Sequence, residues 1–323
     1  MIRFIFVFIF VFAFNMLKVK AQEVDSTNYK SEFGFKSDND AYLFYGQDQY
    51  YTNGLFISYK QALRPKYLNA KLENKIWSLS ISQEMFNPRS GFSPLVELHD
   101  RPFAASLFVS YDEIKYKKTH SVFNWGIDLG IIGPDALGED AQKVLHNTVG
   151  FYQIAGWEYQ IQNAFLAQLR LAYLKRLGVN SAEKVDMSMG TSLNVGTIHN
   201  QASLNLLFRA GKIYSITRST ITNGHLNNDN NSPKSFLESF FYLKPQISYV
   251  ATNATLEGNL FNDNSPVTFN PKPWVFSAQV GYQFTLKRFR FDYHWIFNSR
   301  EVKSKALPHQ YGSISIFYLF NKN

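Results

Sequence analysis

Apolar and polar residues alternate with a period of two along most of this chain, the pattern of strands with one greasy and one wet face. Trp77, Leu79 and Ile81 interleave with Ser78, Ser80 and Ser82; Phe123, Trp125, Ile127 and Leu129 interleave with Asn124, Gly126, Asp128 and Gly130. Leu169, Leu171 and Tyr173 stand against Gln168 and Arg170, and the pattern recurs through Phe276–Tyr282 and Ile314–Phe320. Strands are predicted near 29–37, 50–61, 74–86, 101–114, 119–132, 164–176, 183–196, 198–213, 238–253, 273–285, 287–300 and 309–320. An even number of antiparallel strands of about ten residues is what closes a single-chain bacterial barrel. The expected fold is therefore all-β, a twelve-stranded antiparallel transmembrane β-barrel forming one domain over 22–323. A porin-sized channel takes about 16 to 18 strands, so this barrel should be narrow and largely filled.

Two connections are long and polar: 87–100, with Pro88, Gly91 and Pro94, and the asparagine-rich 214–236. Both suit the extracellular rim, where long loops are tolerated, and the second reads as a solvated loop without a role. One helix is predicted over 135–148, after Gly133-Pro134, with Ala136, Leu137, Ala141, Val144 and Leu145 at helical spacing. A helix interrupting a barrel sequence is a loop element laid on the extracellular rim. Gln142 and His146, four residues apart, project from one of its faces.

Composition adds export and a membrane. Met1-Ile2-Arg3, the apolar run Phe4 to Phe14 and the small Ala21 have the form of a signal peptide over 1–21, and the run is well short of the roughly 20 residues of a membrane helix. With Arg3, Lys18 and Lys20 removed, the formal charge falls from +8 to +5. The remaining basic residues are scattered, which suits an anionic lipid surface and no nucleic acid. Phe, Tyr and Trp make up 17% of the chain, as in the aromatic girdles of outer-membrane barrels. The absence of cysteine excludes a disulfide framework and thiol chemistry.

Candidate chemistry is concentrated at the first two strands. Asp38, Asn39 and Asp40 bunch hard oxygens at a strand end, as Ca²⁺ prefers, although a solvated turn making local backbone bonds uses the same residues. Thr52 opens the next strand, and a hairpin would bring it beside Asp40. Of the seven histidines, His146 lies on the helix, where an imidazole could serve as a general base or as a plain surface side chain. No G-x-S-x-G, H-E-x-x-H or phosphate-binding loop is present.

Together these segments resemble the outer-membrane lipid A 3′-O-deacylase family, the LpxR type. The resemblance rests on Asn39-Asp40, Tyr51-Thr52-Asn53-Gly54, Asp100-Arg101-Pro102-Phe103-Ala104, the Gly130 to Gly133-Pro134 segment leading to Gly138, Gln142, His146, Gly150 and Gly156-Trp157, and Gly312-Ser313-Ile314-Ser315. It implies a site between the barrel wall and the loop helix, with Ca²⁺ polarising an ester carbonyl and His146 activating water to release the 3′ acyl chains of lipid A. Asn39 and Asp40, with Asp38 beside them, would hold the metal, and Thr52 would line the pocket. Arg101, Gln142 and Glu84 are the candidate substrate contacts. The expected partners are lipopolysaccharide and membrane lipid, met by a monomer in the bacterial outer membrane. Two positions depart from the family pattern: a lysine of the third strand is replaced in the Gln83-Glu84-Met85 stretch, and the carboxylate six residues after the histidine is Tyr152. The alternatives are an outer-membrane phospholipase with a Ser-His-Asn arrangement, for which His294 lacks a serine partner, and a catalytically inactive lipopolysaccharide-binding barrel.

Overall fold

A computed structural model describes residues 29–43, 49–64, 70–228, 237–260 and 264–322; the proposed signal peptide, 1–21, lies outside them. Twelve strands follow in chain order: β1 (Tyr29–Asn39), β2 (Tyr50–Ala62), β3 (Leu72–Asn87), β4 (Ala104–Lys117), β5 (Ser121–Ile132), β6 (Ala164–Val179), β7 (Val185–Gly196), β8 (His199–Lys212), β9 (Ser239–Asn253), β10 (Trp274–Leu286), β11 (Phe289–Asn298) and β12 (His309–Lys322). Each pairs antiparallel with its chain neighbours, and β1 pairs with β12 to close the barrel. Closure satisfies the backbone hydrogen bonds of every strand within the protein, the condition for crossing a bilayer with strands.

The period-2 pattern sorts the side chains. Phe33, Phe35, Leu79, Ile81, Val109 and Leu129 point outward and are 44 to 52% exposed, forming the lipid-facing band. The alternate positions carry charge into the lumen. Glu32 is fully buried there and receives Arg290 at 2.8 Å, Lys60 at 2.9 Å and His225 at 3.0 Å. Arg209, also buried, forks onto Asp186 and reaches Ser219 at 2.6 Å and Glu238 at 3.3 Å. Such buried charges are tolerable only because they are paired. A cavity of about 340 Å³ remains in the lumen, lined in part by Asn124, Asn205, Tyr242, Lys244 and Gln279.

Connections of three, five and two residues (118–120, 180–184 and 287–288) gather at one end, and the longer loops 40–49, 88–103, 133–163, 254–273 and 299–308 at the other. Short turns mark the periplasmic end of such barrels and long loops the extracellular end. The 213–238 connection contradicts its expected place, because it follows β8 and so leaves from the short-turn end. Its described part is no solvated loop. Leu226 is fully buried among Tyr29, Ile76, Ile114, Tyr116, Val122 and Leu319, and its carbonyl accepts from Asn74 Nδ2 at 2.6 Å. The segment plugs the lumen from that end.

The predicted helix is present as α1 (Gly138–Val149), entered through a 3₁₀ turn at Pro134–Ala136 and ended by Gly150 at φ 78°. It lies on the outside of the wall. Gln83, of the same strand parity as Ile81, donates to the Ala136 carbonyl at 2.7 Å. Met85, Phe103, Ala105, Ala136 and Trp157 form a buried cluster beneath the helix start. A Cβ on Gly138 would overlap the Ala105 methyl and the Trp157 ring, so only glycine lets the helix approach this closely.

Candidate functional site

Strand geometry decides which members of the polar cluster meet. Asn39 ends β1 with the outward parity of Phe33 and Phe35, and is paired with Asn53, which shares the outward parity of Leu55 and Ile57. Asp40 opens a 3₁₀ turn immediately beyond. The β2–β3 register shifts between Tyr51 and Asn53, so Thr52 is a bulge residue, and bulges re-aim side chains beside functional sites. Across from these, α1 turns Gln142 and His146 inward, both buried. The two groups enclose a cavity of about 120 Å³ lined by Asn39, Asp40, Ala41, Thr52, Asn53, Gln142, Leu145, His146, Phe151 and Tyr152.

Five of the eight predicted site residues therefore share one pocket: Asn39, Asp40, Thr52, Gln142 and His146. The other three do not line it. Asp38 alternates to the lumen face, where it accepts from the Tyr51 hydroxyl at 3.0 Å and pairs with Lys36 at 3.0 Å, so the wall separates it from the pocket its neighbours line. Glu84 faces the lumen as well, 3.4 Å from the Ser106 hydroxyl. Gly54 lies between Asp38 and Glu84 in the register, and the Tyr51 hydroxyl occupies the space a Cβ there would need. Arg101 sits under the loops that cover the mouth, bonded to Thr255 at 2.8 Å, 3.6 Å from Glu301 and 4.2 Å above the Phe86 ring. Burial pushes its guanidinium down to about 10, with Glu301 opposing, so it stays charged at neutral pH.

The histidine is oriented by main chain. His146 Nδ1 lies 2.8 Å from the Tyr152 carbonyl oxygen, which can only accept, so Nδ1 carries the proton and Nε2 keeps the lone pair a base needs. That carbonyl belongs to Tyr152, the residue at which the resemblance implies a carboxylate side chain. The chain doubles back after α1 to place it, with the amides of Gly150 and Phe151 donating to the His146 carbonyl at 2.8 and 2.9 Å. The rings of Phe151 and Tyr152 meet the imidazole edge-on at 5.4 and 5.0 Å. The 88–100 loop braces the segment: Gly91 N donates to the Tyr152 hydroxyl at 3.2 Å, and Ser93 N to the Ala155 carbonyl at 2.8 Å. Gln142 is fixed by its oxygen, which accepts from Trp157 Nε1 at 2.7 Å. On the third strand, Gln83 supports the helix through its bond to the Ala136 carbonyl.

The donor set suits a hard cation. Asp40 supplies a carboxylate whose Oδ2 accepts from Gln49 N at 2.8 Å, and Asn39 Oδ1 accepts from Ala41 N at 2.8 Å. Thr52 adds a hydroxyl, and Asn53 Oδ1 is buried without a hydrogen-bond partner among the described residues. An orphaned buried carbonyl beside a carboxylate and a hydroxyl is an oxygen cradle of the kind Ca²⁺ accepts. Among the described residues, no three His, Cys, Asp or Glu side chains gather as a metal cluster. Sequence reasoning missed Asn53, Leu145, Phe151 and the Tyr152 carbonyl as pocket members. The Asn53 position in Tyr51-Thr52-Asn53-Gly54 was the available signal.

Residues 5–320 match the family described as outer membrane protein LpxR. The chain belongs to this family. LpxR from Salmonella typhimurium has a similar structure, with a TM-score of 0.72 at 18% identity over 90% of this chain and 100% of that one, which shows the shared fold. The beta domain of the Bordetella autotransporter BrkA matches at a TM-score of 0.46 and 6% identity, covering 92% of this chain and 100% of that one. The translocator domain of the autotransporter NalP from Neisseria meningitidis matches at 0.40 and 9%, covering 92% and 90%. No curated protein sequence matches. This LpxR-family barrel is an outer-membrane protein, as its lipid-facing band requires.

Proposed function

We propose that this LpxR-family barrel is a Ca²⁺-dependent esterase that removes 3′-linked acyl chains from lipid A in the outer leaflet, acting as a monomer. The observation that carries the reading is the meeting, in one pocket on the membrane side of the wall, of Asn39, Asp40 and Thr52 with an oriented His146. A lipid substrate reaches that side of the barrel without entering the plugged lumen.

Bound Ca²⁺ would supply a Lewis acid for the ester carbonyl and for the oxyanion that forms on it. Asp40, Asn53 and Thr52 would hold it, with Asn39 closing the turn behind Asp40. His146 Nε2 accepts a proton from the attacking water while Nδ1 stays bonded to the Tyr152 carbonyl, which stabilises the imidazolium formed. The same proton returns to the sugar oxygen as the acyl chain departs as a carboxylic acid. Phe151 and Leu145 give the pocket an apolar side for the chain and limit bulk water.

The test is purified protein incubated with lipid A and read by mass spectrometry for loss of 3′ acyl mass. His146→Ala should lower the rate by about 10² to 10⁴-fold, the span of a general base. Full activity in that variant overturns the mechanism. Absence of acyl release from the unaltered protein, with lipid A still bound, would make it an inactive lipopolysaccharide-binding barrel.

A further inference from the structure

The 88–100 loop carries an exposed apolar surface that neither the barrel nor the proposed chemistry uses. Over Gly91–Leu98, Phe92, Leu95, Val96 and Leu98 are 54, 58, 39 and 55% exposed, and Glu97 is the one charged side chain in the run. Side chains of this kind in a loop washed by water would be an aggregation liability. Their exposure brackets that of Ile81 and Val109, 48 and 46%, which face lipid on the strands flanking the loop.

The loop's placement explains the likeness. It is stitched to the segment after α1 by Ser93 N to the Ala155 carbonyl (2.8 Å), Ala155 N to the Gly91 carbonyl (3.0 Å) and the Phe92–Ala155 bridge. Beneath it, the Ser93 carbonyl receives His99 Nε2 at 2.8 Å, and the Phe103 ring packs tilted against Trp157 at 5.1 Å, in the cluster that covers the outward positions Met85 and Ala105. Met85 stands four residues after Ile81 on β3, and Ala105 four residues before Val109 on β4, each on the same outward face. The loop thus hangs on the outside of the wall, and its apolar side chains continue the lipid-facing band upward past the pocket.

We infer that the 91–98 loop is a membrane-seated shelf, with Phe92, Leu95, Val96 and Leu98 immersed in the acyl region of the outer leaflet. The partner is lipid, because the surface is continuous with one that already faces lipid. Seated there, the loop holds Tyr152 and Ala155, and through them the His146 segment, at the depth where ester linkages of outer-leaflet lipids lie.

The chain has no cysteine, so a single introduced thiol takes a nitroxide label alone. Leu95→Cys and Leu98→Cys would be labelled in full-length protein in phosphatidylcholine vesicles, with Ile81→Cys as the lipid reference and Ser181→Cys, in the exposed 180–184 turn, as the water reference. Collision with oxygen, which partitions into lipid, is compared with collision with a water-soluble nickel chelate. The expected oxygen-to-nickel ratio at 95 and 98 is close to that at 81 and several-fold above that at 181. A ratio like that at 181 overturns the inference, as does low access to both reagents with spin–spin broadening, which would put a second copy of the chain on the surface. Repeating the labels on His146→Ala separates this outcome from the fate of the esterase reading, since immersion does not depend on catalysis.

Discussion

Removing the Tyr51 hydroxyl should weaken calcium affinity without touching the pocket. Tyr51→Phe deletes a 3.0 Å bond to Asp38 on the lumen side of the wall, and Asp38 Oδ1 already has no partner among the described residues, so the carboxylate keeps Lys36 alone. A hydrogen bond to a charged acceptor contributes about 1.5 to 3 kcal/mol; with Lys36 retained, the lower end applies, about 1.5 kcal/mol. Asp38 precedes Asn39 and Tyr51 precedes Thr52, so the bond clamps the two strand ends that present the oxygen donors. Since about 1.4 kcal/mol is tenfold in an equilibrium constant, the Ca²⁺ midpoint for acyl release should rise by about tenfold. Tyr311→Phe is the control: its ring lies 4.7 Å from that of Tyr51, in the same cluster, and its hydroxyl makes no bond to Asp38. The assay is acyl release against Ca²⁺ concentration, with thermal unfolding followed in parallel. An unchanged Ca²⁺ midpoint in Tyr51→Phe, or an equal rise in Tyr311→Phe, refutes the clamp.

Three further outcomes follow from other parts of the molecule. With one carboxylate among its donors, the site should bind Ca²⁺ weakly, with a Kd of about 10⁻⁴ to 10⁻³ M by titration; Asn53→Ala should raise it and excess chelator should abolish acyl release reversibly. Gln142→Leu leaves the Trp157 indole N–H buried without its acceptor and should cost about 1 to 3 kcal/mol in urea unfolding, read from the tryptophan signal. Glu32→Ala strands Arg290 and Lys60 in the lumen and should cost about 3 to 5 kcal/mol, seen as a lower temperature for loss of the folded band on unheated gels; an unchanged temperature would mean that water enters and solvates them.

The fold was legible because its rule is simple: β-strand parity shows directly as alternating residues, and all twelve strands fall where the pattern puts them. Parity also held the information that separates Asp38 from Asn39, since adjacent residues of one strand face opposite sides of the wall. Glu84 fails as a pocket residue for the same reason, while Gln83 beside it reaches the helix. The plug formed by the described residues 213–228 could have been placed by counting, because a connection after an even-numbered strand returns to the end at which the first strand began. Its polar composition hid this: asparagines and a histidine look solvated until the charges they meet, Glu32 and Arg290, are brought in from strands far away in the chain. The Thr52 bulge and the main-chain partner of His146 carry no residue-type signature, so no reading of side chains would have found them.

The Tyr152 carbonyl alters what substitution can do to this family member. A side chain that orients a histidine is lost by one change of codon, whereas a main-chain oxygen survives any residue at its position. The vulnerability moves from identity to spacing: inserting or deleting one residue between His146 and Tyr152 would carry the oxygen away from Nδ1, whereas a substitution at 152 removes the ring and hydroxyl contacts and leaves that carbonyl in the chain.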